Sequence, residues 1–258
     1  MTCSGSPPRR SRRYSRSTGA GRARELRPTG LSAPRVTVPC VRNHIVWDWN
    51  GTLFQDMEAV LGASNAAFAT VGIGPMTMQE YREQYEIPIP RFYQRLLGRM
   101  PSEAEWLLLD DAFHDRYREL SPACGLTEGV RELLDGWRED GHSQSLLSMY
   151  VHDKLVPLVE AFGLTGQFLR VDGRDGPSGG QKADLLAAHL TALGERVDPA
   201  RTVLIGDAAD DALAALSVGA HAVLYTGGSH TREKLEPVGV PVVDSLAEAV
   251  ELAGRIAG

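Results

Sequence analysis

Short apolar runs alternate with stretches of helical periodicity from residue 44 to the C-terminus. Neighbouring parallel strands need a long crossover between them, usually a helix, so this alternation predicts a parallel sheet with helices on both faces. The predicted fold class is therefore α/β, with a Rossmann-like parallel sheet as its core. The strand candidates are residues 45–47, 144–148, 168–171, 202–205, 220–225 and 240–243.

Three of the intervening stretches end where a helix is expected to end. Helical patterns over 127–141, 181–194 and 210–219 each finish at a glycine. Glycine adopts the left-handed backbone conformation that commonly follows a helix, so these stretches are predicted as crossover helices.

The interval 57–124 departs from the alternation because it is helical throughout. Thr77 with Glu80, and Ser102 with Glu105, have the spacing of capping boxes, which mark helix starts. This pattern predicts a helical cap inserted after the first strand. The predicted domains are a core formed by 43–56 and 125–258, a cap formed by 57–124, and an extension formed by 1–42.

The extension has a composition unlike the rest of the chain. It contains ten arginines and one acid, Glu25, so with a net charge of −6 overall the other residues carry −15. Without apolar periodicity it has little to bury, which predicts a disordered basic segment. It could be a basic arm for nucleic acid or membrane, or an inert extension before a start near Val36 or Val38; we favour the second. The acidic body argues against a nucleic-acid partner for the core.

Hydropathy and cysteine usage indicate the cellular environment of the chain. No apolar run approaches the about 18 residues that a membrane span needs. Cys3, Cys40 and Cys124 are scattered and lack metal-like spacing. They predict a reducing, cytoplasmic compartment without a disulfide framework.

Polar residues follow four of the predicted strands, at the edge where ligands gather in parallel sheets. Asp48 follows the first strand and Ser148 ends the second. Lys182 opens the helix after the third, and "GDAADD" (206–211) ends the fourth. Each alone fits a turn, a helix cap or a solvated side chain. Together they predict one site at the carboxyl edge of the sheet.

The joint pattern resembles the haloacid dehalogenase (HAD) superfamily. "DWNGTL" (48–53), Ser148, Lys182 and "GDAADD" are similar, in this order, to its four motifs, and the resemblance covers 44 to about 256. The insertion is similar to the helical cap of small-molecule phosphatases such as phosphoglycolate phosphatase. The resemblance implies a Mg²⁺-dependent hydrolase of small phosphorylated metabolites, which we expect to be a monomer or homodimer.

The resemblance also implies a role for each motif residue. Asp48 would attack phosphorus and form an aspartyl-phosphate, which divides one hard displacement into two easier steps. The phosphoryl oxygens would be held by Ser148, Lys182 and the backbone N–H groups of Gly51 and Thr52. The Mg²⁺ ligands would be the carboxylates of Asp48 and Asp207 and the backbone carbonyl of Asn50. Asp211, in preference to Asp210, would be a further ligand, directly or through water.

Asn50 departs from the family pattern, because its phosphatases carry a proton-transferring acid there. An amide cannot give or take a proton near neutral pH. General acid–base catalysis typically contributes about 10²–10⁴ in rate, against total enzymatic accelerations of up to about 10²¹. The sequence therefore predicts an active but slower phosphatase, biased toward good leaving groups or toward transfer. His152, four residues past Ser148, is a candidate replacement acid.

In the cap, Arg91 and Tyr93 stand near Pro90 and are candidate contacts for an anionic substrate; an ordinary amphipathic helix explains them equally.

Other functions remain open at this stage. Cleavage of carbon–phosphorus bonds would normally need a cap lysine, and 57–124 contains none. Dehalogenation needs no Mg²⁺, which the intact "GDAADD" argues against. A catalytically weak domain that binds a phosphorylated ligand or a protein is supported by Asn50, but the retained Asp48, Lys182 and Asp207 oppose it.

Overall fold

The computed structural model describes residues 43–175 and 180–256, so the extension 1–42 lies outside the described residues. The strands are β1 (His44–Trp47), β2 (Phe54–Gln55), β3 (Gly125–Leu126), β4 (Ser143–Val151), β5 (Val171–Arg174), β6 (Thr202–Gly206), β7 (His221–Tyr225) and β8 (Val242–Val243). The α-helices are α1 (Met57–Thr70), α2 (Met78–Gln84), α3 (Ile89–Leu97), α4 (Glu103–Leu120), α5 (Val130–Glu139), α6 (His152–Ala161), α7 (Lys182–Leu193), α8 (Ala209–Ser217), α9 (Arg232–Leu235) and α10 (Leu246–Ile256).

The predicted α/β class is confirmed by a six-stranded sheet in the order β5-β4-β1-β6-β7-β8. All neighbouring strands in it are parallel. β1 lies inside the sheet, and its last residue, Trp47, is level with Leu146 of β4 and Ile205 of β6. The carboxyl ends of these three strands therefore open onto one edge.

The sheet is buried on both faces, as its alternation of strand and helix predicts. Ile45 and Trp47 of β1 belong to one apolar cluster, with residues of α5, α6 and α10. Val46 points to the opposite cluster, with residues of α7 and α8. Successive strand residues face opposite sides, so β1 anchors both layers and is held rigidly.

The third strand was predicted at the wrong place. The sequence indicated 168–171, whereas β5 is Val171–Arg174. The apolar residues Phe168 and Leu169 come before β5, although the Leu169 N–H already donates to the Gln144 carbonyl of β4 (2.9 Å). The strand itself is mainly polar, so the apolar residues do not indicate how far it extends. The last strand, predicted at 240–243, is reduced to Val242–Val243 behind Pro241, which has no N–H to donate.

The segment 57–124, called the cap segment below, contains α1 to α4. Both predicted capping boxes are formed, at Thr77 with Glu80 and at Ser102 with Glu105. An apolar cluster including Phe68, Tyr81 and Phe92 holds these helices together. The antiparallel pair β2–β3, which the sequence did not reveal, joins the two ends of the segment.

Within the described ranges, no helix has both the length and the apolar character needed to cross a membrane.

Candidate active site

The strand ends bring three carboxylates together. The N–H of Asp48 donates to the carbonyl of Ile205 (2.9 Å), which ties the end of β1 to β6. Asp207 directly follows β6, and Asp211 lies in the first turn of α8. One carboxylate oxygen from each of Asp48, Asp207 and Asp211 lies within 4.8 Å of the others, and all three residues are buried.

Lys182 partly neutralises this cluster. Its ammonium donates to Asp48 Oδ1 and forms an ion pair with Asp211 Oδ1. Lys182 is itself buried at the start of α7, and although burial lowers the pKa of its ammonium, Asp211 and Asp48 raise that pKa above its ordinary value overall. One buried cation against three carboxylates leaves two negative charges to be balanced.

Burial and this excess of negative charge raise the pKa values of the acids. Burial raises the pKa of Asp48 well above its ordinary value; Lys182 opposes the shift, and Asp211 and Asp207 add to it. Burial and the neighbouring Asp211 carboxylate raise the pKa of Asp207 to about 7. Like charges confined in a low dielectric favour protonation or the arrival of a cation.

Two glycines let the carboxylates approach the backbone. Gly51 has a φ of +72°, and a Cβ there would lie 2.8 Å from Asp207 Oδ2. A Cβ at Gly206 would lie 2.2 Å from Asp211 Cγ. Side chains at either position would displace these acids, so the glycines of "NGT" and "IGD" are required by the site.

The donor set fits a hard divalent cation. The buried oxygens of Asp48, Asp207 and Asp211 are the ligand type that Mg²⁺ prefers, and their excess charge matches its own. Ser229 donates from its N–H (2.5 Å) and its hydroxyl (2.7 Å) to Asp207 Oδ2, which orients that carboxylate. Asp210 stands outside the three-carboxylate cluster but lines the same cavity, and burial and Asp211 raise its pKa to about 6.

Asn50 is held in one orientation. Its Nδ2 donates to Asp56 Oδ2 (2.7 Å) and to the Tyr117 hydroxyl (3.2 Å), while its Oδ1 faces Ser148 Oγ at 3.5 Å. A carboxylate accepts hydrogen bonds, so Asp56 fixes which end of the amide faces it. The amide nitrogen is thereby turned toward Asp56 and Tyr117, and Asn50 presents its oxygen to Ser148.

Asp56 is a residue that sequence reasoning missed. It precedes α1 at the N-cap position, yet its side chain makes no capping bond. Instead Oδ1 accepts from the Gly51 N–H (3.0 Å), and Oδ2 accepts from Tyr117 (2.7 Å) as well as from Asn50. Burial raises the pKa of Asp56, and the hydrogen bonds from Tyr117, Asn50 and Gly51 oppose that shift. An Asp at a helix start is normally a cap, so the sequence carried no separate signal for this role.

The chain matches the family model described as haloacid dehalogenase-like hydrolase over residues 45–216. It belongs to the haloacid dehalogenase-like hydrolase family. The matched span runs from β1 through α8 and includes every acid of the site.

Several curated relatives carry phosphatase names. The chain is 28% identical over 208 residues to a phosphoglycolate phosphatase of Caulobacter vibrioides, covering 77% of this chain and 85% of the relative. It is 26% identical over 196 residues to a phosphoglycolate phosphatase of Synechococcus elongatus, covering 74% of this chain and 87% of the relative.

Solved structures agree in fold. A hydrolase from Pseudomonas syringae has a TM-score of 0.68 at 22% identity and covers 84% of this chain and 100% of its own. A haloacid dehalogenase-like family protein from Streptococcus pneumoniae has a TM-score of 0.68 at 16% identity, with 81% and 97% covered. At these identities the likeness concerns the fold alone.

The predicted site residues of this HAD-family chain do not all reach the cavity. Ser148 lines it, and its hydroxyl accepts the Tyr150 N–H at 3.0 Å. Tyr93 lines it as well, whereas Arg91 is exposed on α3 outside the lining, because the buried face of that helix carries Phe92 and Tyr93.

Two further predicted residues also lie outside the lining. Thr52 is fully buried, and its carbonyl accepts from the Thr127 hydroxyl (2.6 Å), while Gly51 beside it does line the cavity. His152, the candidate replacement acid, accepts the Gly173 N–H at Nδ1 (3.1 Å) and is not among the lining residues. The role predicted for His152 is therefore not supported by its position.

Proposed function

We propose that this protein is a Mg²⁺-dependent phosphatase that hydrolyses small phosphate monoesters through an aspartyl-phosphate on Asp48. The observation that carries the proposal is the convergence of Asp48, Lys182, Asp207 and Asp211 at the carboxyl edge of the sheet. Phosphoryl transfer depends mainly on positioning and charge neutralisation, which this arrangement can supply. The phosphatase names of the curated relatives support the same reaction class.

The chain's own residues would divide the work as follows. Asp48 Oδ1 is engaged by Lys182, which leaves Oδ2 as the nucleophile. Ser148 and Lys182 would hold the phosphoryl oxygens, whereas the Gly51 N–H is already engaged by Asp56. Mg²⁺ would be held by Asp48, Asp207, Asp211 and the backbone carbonyl of Asn50, and it would supply a positive charge that neutralises the transferring phosphoryl group.

Asn50 sets the limits of this chemistry. Its amide nitrogen faces Asp56 and Tyr117, and an amide has no proton to transfer near neutral pH, so Asn50 does not protonate a leaving oxygen. Its Oδ1 can accept a hydrogen bond from an attacking water and orient it, without removing the proton. Both half-reactions lose general acid–base assistance, so hydrolysis of the aspartyl-phosphate is expected to be slow and the intermediate to accumulate.

The cap segment and the environment complete the proposal. The segment 57–124 would cover the site and select the organic part of a small phosphorylated metabolite. We expect a cytoplasmic monomer or homodimer, in keeping with the few scattered cysteines.

The first test is phosphate release from a panel of monoesters with Mg²⁺. Asp48→Asn preserves shape but removes the nucleophile, and we expect a loss of at least about 10⁴-fold. The matched control is Asp140→Asn, the same substitution at an exposed position after α5, which should retain wild-type turnover. Equal activity of wild type and Asp48→Asn would refute the proposal, and the non-catalytic ligand-binding alternative would gain if neither released phosphate while both bound phosphate esters.

A further inference from the structure

A cavity of about 530 Å³ lies between the carboxylate edge of the sheet and the cap segment. Asp48, Asp207 and Lys182 contribute to its core side. Organic ligands are usually bound in cavities of this size, which bury most of the ligand and are lined mainly by apolar side chains. The space above the acids therefore fits a substrate with a sizeable organic group.

Aromatic rings dominate the cap side of this cavity. Tyr93 and Trp106 meet edge to face with ring centroids 5.8 Å apart, and Phe113 stacks on Tyr117 at 5.9 Å. Such packing gives rigid, flat walls, which suit another ring better than a flexible chain. The six rings contributed besides Tyr117 are Tyr81, Tyr85, Phe92, Tyr93, Trp106 and Phe113.

The cap side offers little to a second anionic group. Among the described lining residues from 57–124, Arg118 alone carries a permanent positive charge, and it pairs with Asp115 at 3.2 Å. Asp110 adds a negative charge to the same side. The core side of the lining contributes two further positive charges. These are Lys154, which is exposed, and Arg174, whose Nε donates to the Met149 carbonyl at 3.2 Å. At the cap, a short, doubly anionic ester would meet rings, the Asp110 carboxylate and one arginine that is already paired.

The chemistry at Asn50 restricts the leaving group independently. Asn50, whose amide nitrogen faces Asp56 and Tyr117, cannot protonate a departing oxygen. A phenol ionises near pH 10, as tyrosine does. An aliphatic alcohol, like water, is a far weaker acid than a phenol and departs with difficulty as an alkoxide. The more acidic leaving group is the one suited to a site whose residue at position 50 has no proton to give.

Resting on the phosphatase function proposed above, we propose that the substrates are aryl phosphates, whose aromatic ring occupies the cavity between the cap rings and the carboxylates. An Asp48 oxygen forms a bond to phosphorus while the bond from phosphorus to the aryl oxygen breaks. The electron pair leaves with that oxygen as a phenolate, which takes a proton from solvent water. Water then attacks phosphorus, the Asp48 carboxylate is released, and inorganic phosphate carries or sheds the remaining proton.

Four esters distinguish the contribution of the aromatic ring from that of the leaving group. Phenyl phosphate has both a ring and an acidic leaving group; benzyl phosphate has only the ring; acetyl phosphate has only the good leaving group; phosphoglycolate has neither. With the full chain and Mg²⁺, kcat/KM should be highest for phenyl phosphate, at least about 10²-fold above benzyl phosphate. Benzyl phosphate should act as a competitive inhibitor with a Ki near the dissociation constant of phenyl phosphate, measured from the concentration dependence of its pre-steady-state burst.

The outcomes distinguish this inference from the proposed function. A higher kcat/KM for phosphoglycolate than for phenyl phosphate would overturn the inference and leave the phosphatase function standing. Weak inhibition by benzyl phosphate, with acetyl phosphate preferred over phenyl phosphate, would also overturn it, since the ring would then contribute nothing. Absence of Mg²⁺-dependent turnover of all four esters would contradict both.

A pair of variants on one helix tests the ring wall. Trp106 of α4 lines the cavity, whereas Leu108 on the same helix is 53% exposed and does not. Trp106→Ala should raise the KM for phenyl phosphate and the Ki of benzyl phosphate about tenfold, as expected for a lost aromatic contact. Trp106→Phe keeps the packing and should restore most of the affinity, even if the alanine variant is too unstable to assay. Leu108→Ala should change neither constant, and equal effects of the Trp106 and Leu108 variants would overturn the inference.

Discussion

The two sides of the cavity are built on different principles. The sheet edge is polar and fixed by backbone geometry: Asp48 and Asp207 follow directly on buried parallel strands, and glycines make room for them. The cap side is apolar and built from side chains on separate helices, such as Trp106 of α4 and Phe92 of α3. Under the proposed function, the first arrangement would carry out the reaction and the second would select among substrates. We therefore expect substitutions at the sheet edge to alter the reaction and substitutions on the cap side to alter substrate specificity.

The largest expected effect concerns the sheet edge. Asp207→Asn should lower kcat/KM about 10³-fold, since it removes a cation ligand whose charge stabilisation amounts to several kcal/mol. It should also abolish the rise in melting temperature that Mg²⁺ produces, expected at about 5–10 °C for saturating cation and a chain of this size.

Asp210→Asn is the matched control, because Asp210 lines the cavity outside the three-carboxylate cluster. It should keep most of the Mg²⁺-dependent rise in melting temperature. If both variants lost this rise equally, the assignment of the cation to Asp48, Asp207 and Asp211 would be wrong.

The next effect concerns Asn50 and its neighbour Asp56. Asn50→Asp should raise turnover of alkyl phosphates by restoring a proton donor, up to about 10²-fold. Asp56 limits this gain, because two carboxylates at the 2.7 Å separation of the present contact repel each other unless they share a proton. The double variant Asn50→Asp with Asp56→Asn should gain more, since the amide introduced at position 56 can donate to the new carboxylate.

The comparison of single and double variants gives a coupling free energy. We expect Asp56→Asn alone to reduce turnover, so the two substitutions are strongly non-additive. Additive effects on kcat for benzyl phosphate would show that Asp56 does not govern the amide at position 50.

The smallest effect concerns the contact between the two sides. Tyr117→Phe removes the hydroxyl that donates to Asp56 and accepts from Asn50. The hydrogen bond from Asn50 to this hydroxyl joins two neutral groups, and such a bond contributes about 0.5–1.5 kcal/mol, so kcat should fall several-fold to about tenfold with little change in KM. Tyr225→Phe, on β7 and outside the cavity lining, is the control. Indistinguishable kinetics of the two variants would deny Tyr117 a role in orienting Asn50.

The sheet and its polar edge were largely predictable because both depend on local patterns. Alternating elements imply parallel strands, and residues that follow such strands must meet at one edge, so Asp48 and Asp207 could be placed together from the sequence. The extent of β5 could not be predicted, since Asp172, Gly173 and Arg174 carry no apolar signal.

The partners of Asn50 were beyond the sequence for a different reason. Asp56 and Tyr117 are 61 positions apart, and only the packing of α4 against the start of α1 brings them within 2.7 Å. The cap rings are likewise ordinary apolar helix residues in the sequence, and which of them face the cavity depends on helix rotation. For the same reason Arg91 was expected to face the substrate but lies on the exposed side of α3.

The central claim is that Asp48 is the nucleophile in a site where an amide has replaced the proton-transferring acid. Acid quenching during turnover of phenyl phosphate, followed by peptide mass spectrometry, tests it most directly. The account predicts one phosphoryl group on Asp48 in a substantial fraction of wild-type molecules, and less in Asn50→Asp, where hydrolysis of the intermediate is faster. Steady turnover with unmodified Asp48, or with the phosphoryl group on another side chain, would contradict it.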